Sequence, residues 1–258
     1  MALREIAKHN GELAFSIIEK EGLIVLIEHL NYFNYQIRRE TCACLAQIVK
    51  HKADIAEKVC AKDNLSKLLN CLKDTDLFTK KNAIICFEQI AKHSHDLASN
   101  IIKNQCLLPI YNFINESSGE ARLRGILTLS NIAMHDSTLA KSLIEEKALP
   151  VIKNAAIKDT NNFVKSACAQ CIFEFAKHGS DFANPLLDEG FHTVLMKQLE
   201  SNQKDVQNKT ENALRKLIDI TQNIDFLQEL FLKGLTALFQ PILSQISKII
   251  PTNPAAKK

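Results

Sequence analysis

Residues 90–93 read Ile-Ala-Lys-His, and close variants of this tetrad recur along the chain. The other copies are Ile6-Ala7-Lys8-His9, Ile48-Val49-Lys50-His51, Ile132-Ala133-Met134-His135 and Phe175-Ala176-Lys177-His178. Successive histidines are 42, 42, 42 and 43 residues apart. A second pattern keeps this period, because a large apolar residue followed by alanine comes four residues after each histidine, as in Leu97-Ala98. The sequence is therefore an array of repeats of about 42 residues.

Within one repeat, between His93 and His135, the apolar spacing predicts three helices. The first is expected at residues 96–103 and the second at residues 107–114, with Pro109 in its first turn, where a missing N–H costs little. The third, at residues 120–135, has the i, i+3, i+4 spacing of a buried helix face. Three helices in a repeat of this length favour armadillo over HEAT repeats. We therefore predict an all-α, right-handed armadillo-repeat superhelix, a solenoid of about six repeats of roughly 42 residues.

The expected domain organisation follows from the same period. We predict one armadillo-repeat solenoid over residues 1–250, closed by a C-terminal helical cap, and a flexible tail at residues 251–258. The repeats are expected to end near His9, His51, His93, His135, His178 and Ile220. Ile220 stands where the sixth histidine is expected.

Composition limits the classes of function. The chain has 32 basic and 29 acidic residues and a formal net charge of +3, which argues against a dedicated nucleic-acid binder. No apolar run approaches the ~20 residues that span a bilayer, so we expect no membrane segment. The eight cysteines are scattered, and the start of the chain lacks the pattern of a signal peptide. These features favour a reducing, intracellular environment.

The repeated histidines invite a metal-binding hypothesis, but one histidine per repeat cannot converge on a single ion when the repeats are displaced along a stack. We predict instead that each imidazole hydrogen-bonds carbonyl groups at the end of a third helix. Cys168 and Cys171 have C-x-x-C spacing but lack a second ligand pair, so we interpret them as packed thiols. No catalytic motif is present, and we expect no enzyme activity, metal, cofactor or small-molecule substrate.

A column of cations keeps the repeat period. Arg38, Lys80, Arg122 and Lys165 each lie thirteen residues before a histidine, near the predicted start of a third helix. Cations oppose the macrodipole at that end, so helix energetics do not explain them. With the adjacent Arg39 and Lys81 they form what we call the basic ladder, a candidate binding site for an extended acidic partner. The alternative is pairing within the chain, for which the candidate acids are Asp74, Asp76, Glu116, Glu120 and Asp159.

Stacked repeats leave a concave surface lined by their third helices, where an extended peptide would lie. Importin adaptors bind nuclear-localisation peptides there through a Trp-x-x-x-Asn array. The corresponding positions here are Ala43/Gln47, Ile85/Gln89, Leu127/Asn131 and Gln170/Glu174. Only Asn131 matches that array and the chain has no tryptophan, which argues against importin-like cargo binding. Gln47, Gln89, Asn131 and Glu174 remain the candidate groove positions for contact with a partner.

Several further motifs carry a more specific resemblance. They are Cys71-Leu72-Lys73-Asp74, Lys80-Lys81-Asn82-Ala83, Arg122-Leu123-Arg124-Gly125-Ile126, Ala213-Leu214-Arg215-Lys216-Leu217-Ile218 and Gln245-Ile246-Ser247-Lys248-Ile249-Ile250-Pro251. With the tetrads they make most of the chain resemble the sperm-associated-antigen armadillo family of the ciliary central apparatus. Arg124 departs from that family, which usually has a helix-breaking proline there. The family also has armadillo repeats upstream, so we expect either residues before Met1 or a neighbouring chain to cover the first repeat.

The resemblance implies a non-catalytic scaffold in the axoneme of a motile cilium or flagellum, which stabilises the central microtubule pair and its projections. The implied partners are other central-apparatus proteins, further armadillo chains and tubulin. The implied location is the cytoskeleton of the cytoplasm and axoneme. The alternative left open is a soluble armadillo adaptor or transport factor that binds an extended peptide in its concave groove.

Overall fold

The computed structural model describes residues 2–252, apart from the side chains of residues 62, 251 and 252. Within this range the chain is helical throughout and forms no β-strand. In chain order the helices are α1 (Ala2–His9), α2 (Gly11–Glu19), α3 (Gly22–His29), α4 (Tyr35–Val49), α5 (Ala53–Val59), α6 (Lys62–Cys71), α7 (Leu77–His93), α8 (His95–Lys103), α9 (Leu107–Glu116), α10 (Gly119–Ala133), α11 (Ser137–Glu145), α12 (Ala148–Lys158), α13 (Asn162–Ala176), α14 (Ala183–Asp188), α15 (Phe191–Leu199), α16 (Lys204–Ile220), α17 (Ile224–Leu232) and α18 (Phe239–Thr252).

The helices group into units of three. The unit from which the pattern was derived contains α8, α9 and α10, and each observed boundary lies within two residues of its prediction. The third helices are α1, α4, α7, α10, α13 and α16. The last helix, α18, packs on α16 and continues through Thr252, past the predicted start of the tail. The remaining tail residues lie outside the described part of the chain.

Side chains at the helix starts explain where many of these elements begin. At the start of α7, Asp76 accepts a hydrogen bond from the backbone N–H of Thr79 at 2.8 Å. Asn34 and Asn161 do the same for α4 and α13, each at 2.8 Å. The first N–H groups of a helix have no partner inside it, and such caps contribute about 1 kcal/mol each. Short polar residues therefore set the starts of these third helices.

The repeated apolar positions form one continuous core. Ile48, Ile90, Ile132 and Phe175, the first residues of four tetrads, are all 0% exposed. Burying such a side chain contributes roughly 1.5–3 kcal/mol. Their counterpart in the first tetrad, Ile6, is 41% exposed. The period predicted from the sequence thus marks the residues that pack between neighbouring repeats.

Consecutive third helices lie side by side and pack against one another from α1 to α16. The first and second helices of each unit pack behind them, as α8 and α9 do against α10. The result is an armadillo solenoid in which one surface is built from third helices alone. That surface presents the same face of each repeat in turn, and it carries the candidate groove positions.

Candidate partner-binding surface

The predicted groove positions lie on successive third helices and are half-buried. Gln47 belongs to α4, Gln89 to α7, Asn131 to α10 and Glu174 to α13. A shallow cavity of about 240 Å³ crosses the first three third helices of this surface. Its lining includes Gln47 together with Ala43 from the same helix and Ile85 from the next one. The structure therefore brings amide and apolar side chains of neighbouring repeats together on one open surface.

The groove amides already make some contacts within the chain. Asn131 Nδ2 donates to the backbone carbonyl of Glu88 in the preceding third helix at 3.1 Å. Gln47 Oε1 accepts a hydrogen bond from Lys50 Nζ at 2.6 Å, and Gln89 Nε2 lies 3.4 Å from Glu88 Oε1. Each of these amide groups has more donor and acceptor sites than these contacts use. The groove positions can therefore also bind backbone groups of another chain.

At the fifth repeat the groove is ionic. Glu174 forms an ion pair with Lys177 and accepts a hydrogen bond from Gln170, both at 2.6 Å. Gln170 Oε1 in turn accepts from Lys209 Nζ on α16 at 2.8 Å. The negative charge of Glu174 is thus compensated within the chain, so this end of the groove differs chemically from the amide positions before it.

Glu88 and Arg124 form a pair that the sequence analysis missed. Glu88 is only 7% exposed, and both of its carboxylate oxygens lie 3.3 Å from Arg124 Nη1 in the next repeat. Burial raises the pKa of Glu88, and the nearby Arg124 opposes that rise. No periodic signal marks Glu88. Arg124, noted only as a departure from the family pattern, here links the third helices α7 and α10.

Most cations of the basic ladder form ion pairs with acids of the same chain. Arg38 binds Asp74 through two hydrogen bonds of 2.5 and 3.0 Å, and Arg122 Nη1 lies 2.9 Å from Asp159 in a buried pair. The remaining pairs are Arg39 with Asp76, Lys80 with Glu116 and Lys81 with Glu120. These are the acids that the sequence offered as the alternative. Five of the six cations therefore link one repeat to the next, and a role for the ladder in binding a partner stays a prediction.

Four of the repeated histidines, His51, His93, His135 and His178, bind backbone carbonyls, as predicted, but the carbonyls belong to the preceding repeat. His51 Nε2 lies 2.7 Å from the oxygen of Ala7, and His178 Nε2 lies 2.7 Å from that of Ala133. His93 and His135 make the same contact with Val49 and Ala91. The imidazole thus serves as a donor between repeats.

The cysteines are packed inside the solenoid. All eight thiols are free and buried, and burial raises the pKa of Cys60 and of Cys106 to about 12. Cys168 and Cys171 are 0% exposed, in agreement with their interpretation as packed thiols. Among the described residues, no three His, Cys, Asp or Glu side chains are grouped to hold a metal ion. No helix in the described part of the chain is long and apolar enough to cross a bilayer.

Comparison with solved structures identifies the fold. A designed armadillo repeat protein matches with a TM-score of 0.77 and 23% identity, over 84% of this chain and 90% of that one. A second, solved in complex with the peptide (KR)4, has a TM-score of 0.79, 22% identity and the same two coverages. A third, described as computationally designed for modular peptide recognition, has a TM-score of 0.78 at 22% identity, over 83% of this chain and 90% of that one.

At this identity the likeness shows the armadillo fold and no more. A scan against protein-family models finds no match for the chain. A search of curated proteins also finds no match. The resemblance to the sperm-associated-antigen family therefore stays a prediction from the sequence motifs.

Proposed function

We propose that this armadillo solenoid is a non-catalytic scaffold that binds an extended segment of a partner protein along its third helices. The observation that carries this proposal is the regular placement of Gln47, Gln89 and Asn131 on α4, α7 and α10. Apolar Ile85 and Leu127 lie one helical turn before the second and third of these amides. Amides at a fixed spacing suit the repeating backbone of an extended chain, and the apolar residues between them suit its side chains.

The repeat spacing agrees with this mode of binding. Packed helices lie 8–10 Å apart, and an extended chain advances about 3.3–3.6 Å per residue. Each repeat therefore spans about two to three residues of an extended partner. Two of the structural neighbours are described in terms of peptide binding. One was solved in complex with the peptide (KR)4, and the other was designed for modular peptide recognition. They support a peptide-binding role for this chain.

We further propose that the scaffold acts in the axoneme of a motile cilium, at the central microtubule pair. The support is the motif resemblance described above, together with a stack whose repeats are joined by histidine bonds and ion pairs. Bonds between neighbouring repeats favour a stiff rod, which suits a protein that holds others in place. The proposed partners are central-apparatus proteins, further armadillo chains and tubulin.

Immuno-electron microscopy of the tagged protein in a motile ciliated cell tests the location. We expect label on the central pair, retained after a salt wash. Label confined to the cell body, with a soluble pool, would reject the axonemal role and favour the soluble adaptor. The groove is tested separately by a Gln47→Ala/Gln89→Ala variant, which should lose partner binding. A Lys103→Ala variant on α8, outside the third helices, is the matched control.

A further inference from the structure

The column of cations contains one member that differs from the others. In three repeats the cation is paired with an acid near the end of the next repeat's second helix, which is Asp74 for Arg38, Glu116 for Lys80 and Asp159 for Arg122. Each acid follows its cation by 36 or 37 residues. The residue 36 positions after Lys165 is Ser201, which carries no charge. Among the described residues, no carboxylate lies within ion-pairing distance of Lys165.

Lys165 instead lines a cavity of about 620 Å³ where the ends of α12 and α15 meet the start of α13. A second cation, Lys197, and Ser201 also line this Lys165 cavity. Ile157 and Val194 supply apolar parts of its wall. The cavity thus combines two positive charges with apolar surface.

Two acids border the same cavity and do not neutralise it. Asp159 is already engaged, because it accepts hydrogen bonds from Arg122 and from the backbone N–H groups of Gly119 and Asn161, each at 2.9 Å. Glu200 forms no ion pair with Lys165 or Lys197 in the described structure. The two lysines therefore leave an excess of positive charge at this site.

A buried amide gives independent evidence for a missing acceptor. Gln198 is 6% exposed and lines the cavity, and its Oε1 atom lies 3.5 Å from the hydroxyl group of Thr210. Its Nε2 atom is buried without a hydrogen-bond partner among the described residues. A buried donor that lacks an acceptor is costly, so a rotation of the Gln198 side chain that brings Nε2 to an oxygen in the cavity would be stabilising.

We propose that the Lys165 cavity binds the carboxylate of a glutamate or aspartate side chain from a partner polypeptide. Lys165 and Lys197 supply the charge, and the side chain of Gln198 rotates so that Nε2 donates a hydrogen bond to the carboxylate. Ile157 and Val194 contact the carbon chain of the bound residue. The partner thus provides the acid that Asp74, Glu116 and Asp159 provide in the earlier repeats. The site lies where the ends of α12 and α15 meet the start of α13, so it goes beyond the proposed groove and does not depend on it.

The test is NMR titration of the full chain with the capped peptide Ac-Leu-Glu-Leu-NH2. The neutral peptide Ac-Leu-Gln-Leu-NH2 and inorganic phosphate are the comparison probes. We expect the glutamate peptide alone to shift the side-chain amide signal of Gln198. Lys165→Gln should weaken this binding roughly ten-fold, as expected for one charge-assisted hydrogen bond. Lys141→Gln, at an exposed lysine on α11, should leave the binding unchanged.

A second variant tests the site by filling it. Ser201→Asp places a carboxylate of the chain itself 36 residues after Lys165, so it should raise the melting temperature and abolish the response to the peptide. Ser201→Asn is the neutral control and should do neither. Equal responses to the glutamate and glutamine peptides, tighter binding of phosphate, or binding insensitive to Lys165→Gln and Ser201→Asp would each overturn the proposal. None of these outcomes would count for or against the separate proposal that a partner binds in the groove.

Discussion

His135 Nε2 lies 2.7 Å from the backbone oxygen of Ala91, so the end of one repeat is bonded to the end of the repeat before it. Ala91 lies in the last turn of α7, where carbonyl groups lack partners inside the helix. The histidine satisfies one of these groups. In a solenoid the stability depends on each repeat and on its interface with the next one, so this bond strengthens an interface directly.

Replacing this histidine should therefore weaken the stack. We expect His135→Ala to lower the free energy of unfolding by about 1–3 kcal/mol, since it leaves a buried carbonyl without its donor. Urea denaturation followed by circular dichroism measures the change. His29→Ala is the control, because the half-buried His29 contacts a carbonyl of its own helix, that of Val25, and not one of the preceding repeat. An equal effect of the two substitutions would contradict the linking role of His135.

The ion pairs of the basic ladder should contribute different amounts to the free energy of unfolding, depending on how deeply each pair is buried. The side chains of Arg122 and Asp159 are 10% and 4% exposed, whereas those of Lys81 and Glu120 are 27% and 57% exposed. Arg122→Met leaves a buried carboxylate unpaired and should cost about 3–5 kcal/mol of unfolding free energy. Lys81→Met should cost less than about 1 kcal/mol. Double-mutant cycles with Asp159→Asn and Glu120→Gln measure both couplings, and similar values would contradict this difference.

Lowering the pH should destabilise the second and third repeats, because the carboxylate of Asp76 becomes protonated. Hydrogen bonds from Arg39, then from Thr79, lower the pKa of Asp76 from 3.8 to about 2. The fold therefore favours the ionised form. The stability it gains from this carboxylate is present above about pH 4 and is lost as the pH falls towards 2.

Asp76→Asn keeps a residue that can cap α7 but removes the titration. We expect its unfolding free energy to depend less steeply on pH than that of the wild type between pH 4 and pH 2. Chemical denaturation across this range measures the slope. Asp96→Asn is the control at an exposed acid of α8, and parallel slopes for the wild type and Asp76→Asn would rule out the assigned role.

The close approach of α10 to α9 requires glycine at position 125. A Cβ atom added to Gly125 would lie 2.4 Å from Ile114 Cγ1 and 3.2 Å from its Cδ1 atom. Alanine would normally stabilise a helix interior by up to about 1 kcal/mol, but here the overlap in the core dominates. Gly125→Ala should destabilise the protein by roughly 1–3 kcal/mol.

Ile114→Ala removes the side-chain atoms that would overlap with the added Cβ atom of Gly125→Ala. The double variant should therefore lose less unfolding free energy than the sum of the two single losses, as measured by thermal or urea denaturation. Strict additivity would show that the contact with Ile114 is not the cause.

The sequence predicted the repeat period, the three helices per unit and the buried columns, because apolar spacing directly reports which face of a helix is buried. It did not predict which repeat supplies the partner of a histidine. That depends on how neighbouring units are aligned, as in the pair of His135 and Ala91. The burial of Glu88 was also missed, since this acid has no periodic counterpart and is stabilised by Arg124 across an interface.

One feature of the candidate site, the uncharged Ser201 at the position of an acid, can be recognised in the sequence alone. The acids that pair with the basic ladder keep nearly the same period as the cations, so Ser201 in place of an acid was a visible signal at Lys165. The cavity beside it and the buried amide of Gln198 could not be read in this way, because they depend on the packing of α13 against α15. Sequence patterns locate interfaces between repeats, whereas cavities between them require the structure.

The most direct test of the groove is photo-crosslinking from single positions in the complex with the partner protein. The photoreactive residue p-benzoylphenylalanine replaces Gln47, Gln89 or Asn131 in turn, and Lys103 on α8 serves as the control. We expect crosslinks from the three groove positions to one partner segment, in order, at sites about two to three residues apart. Crosslinks from Lys103 alone, or groove crosslinks scattered without order along the partner, would contradict binding of an extended segment along the third helices.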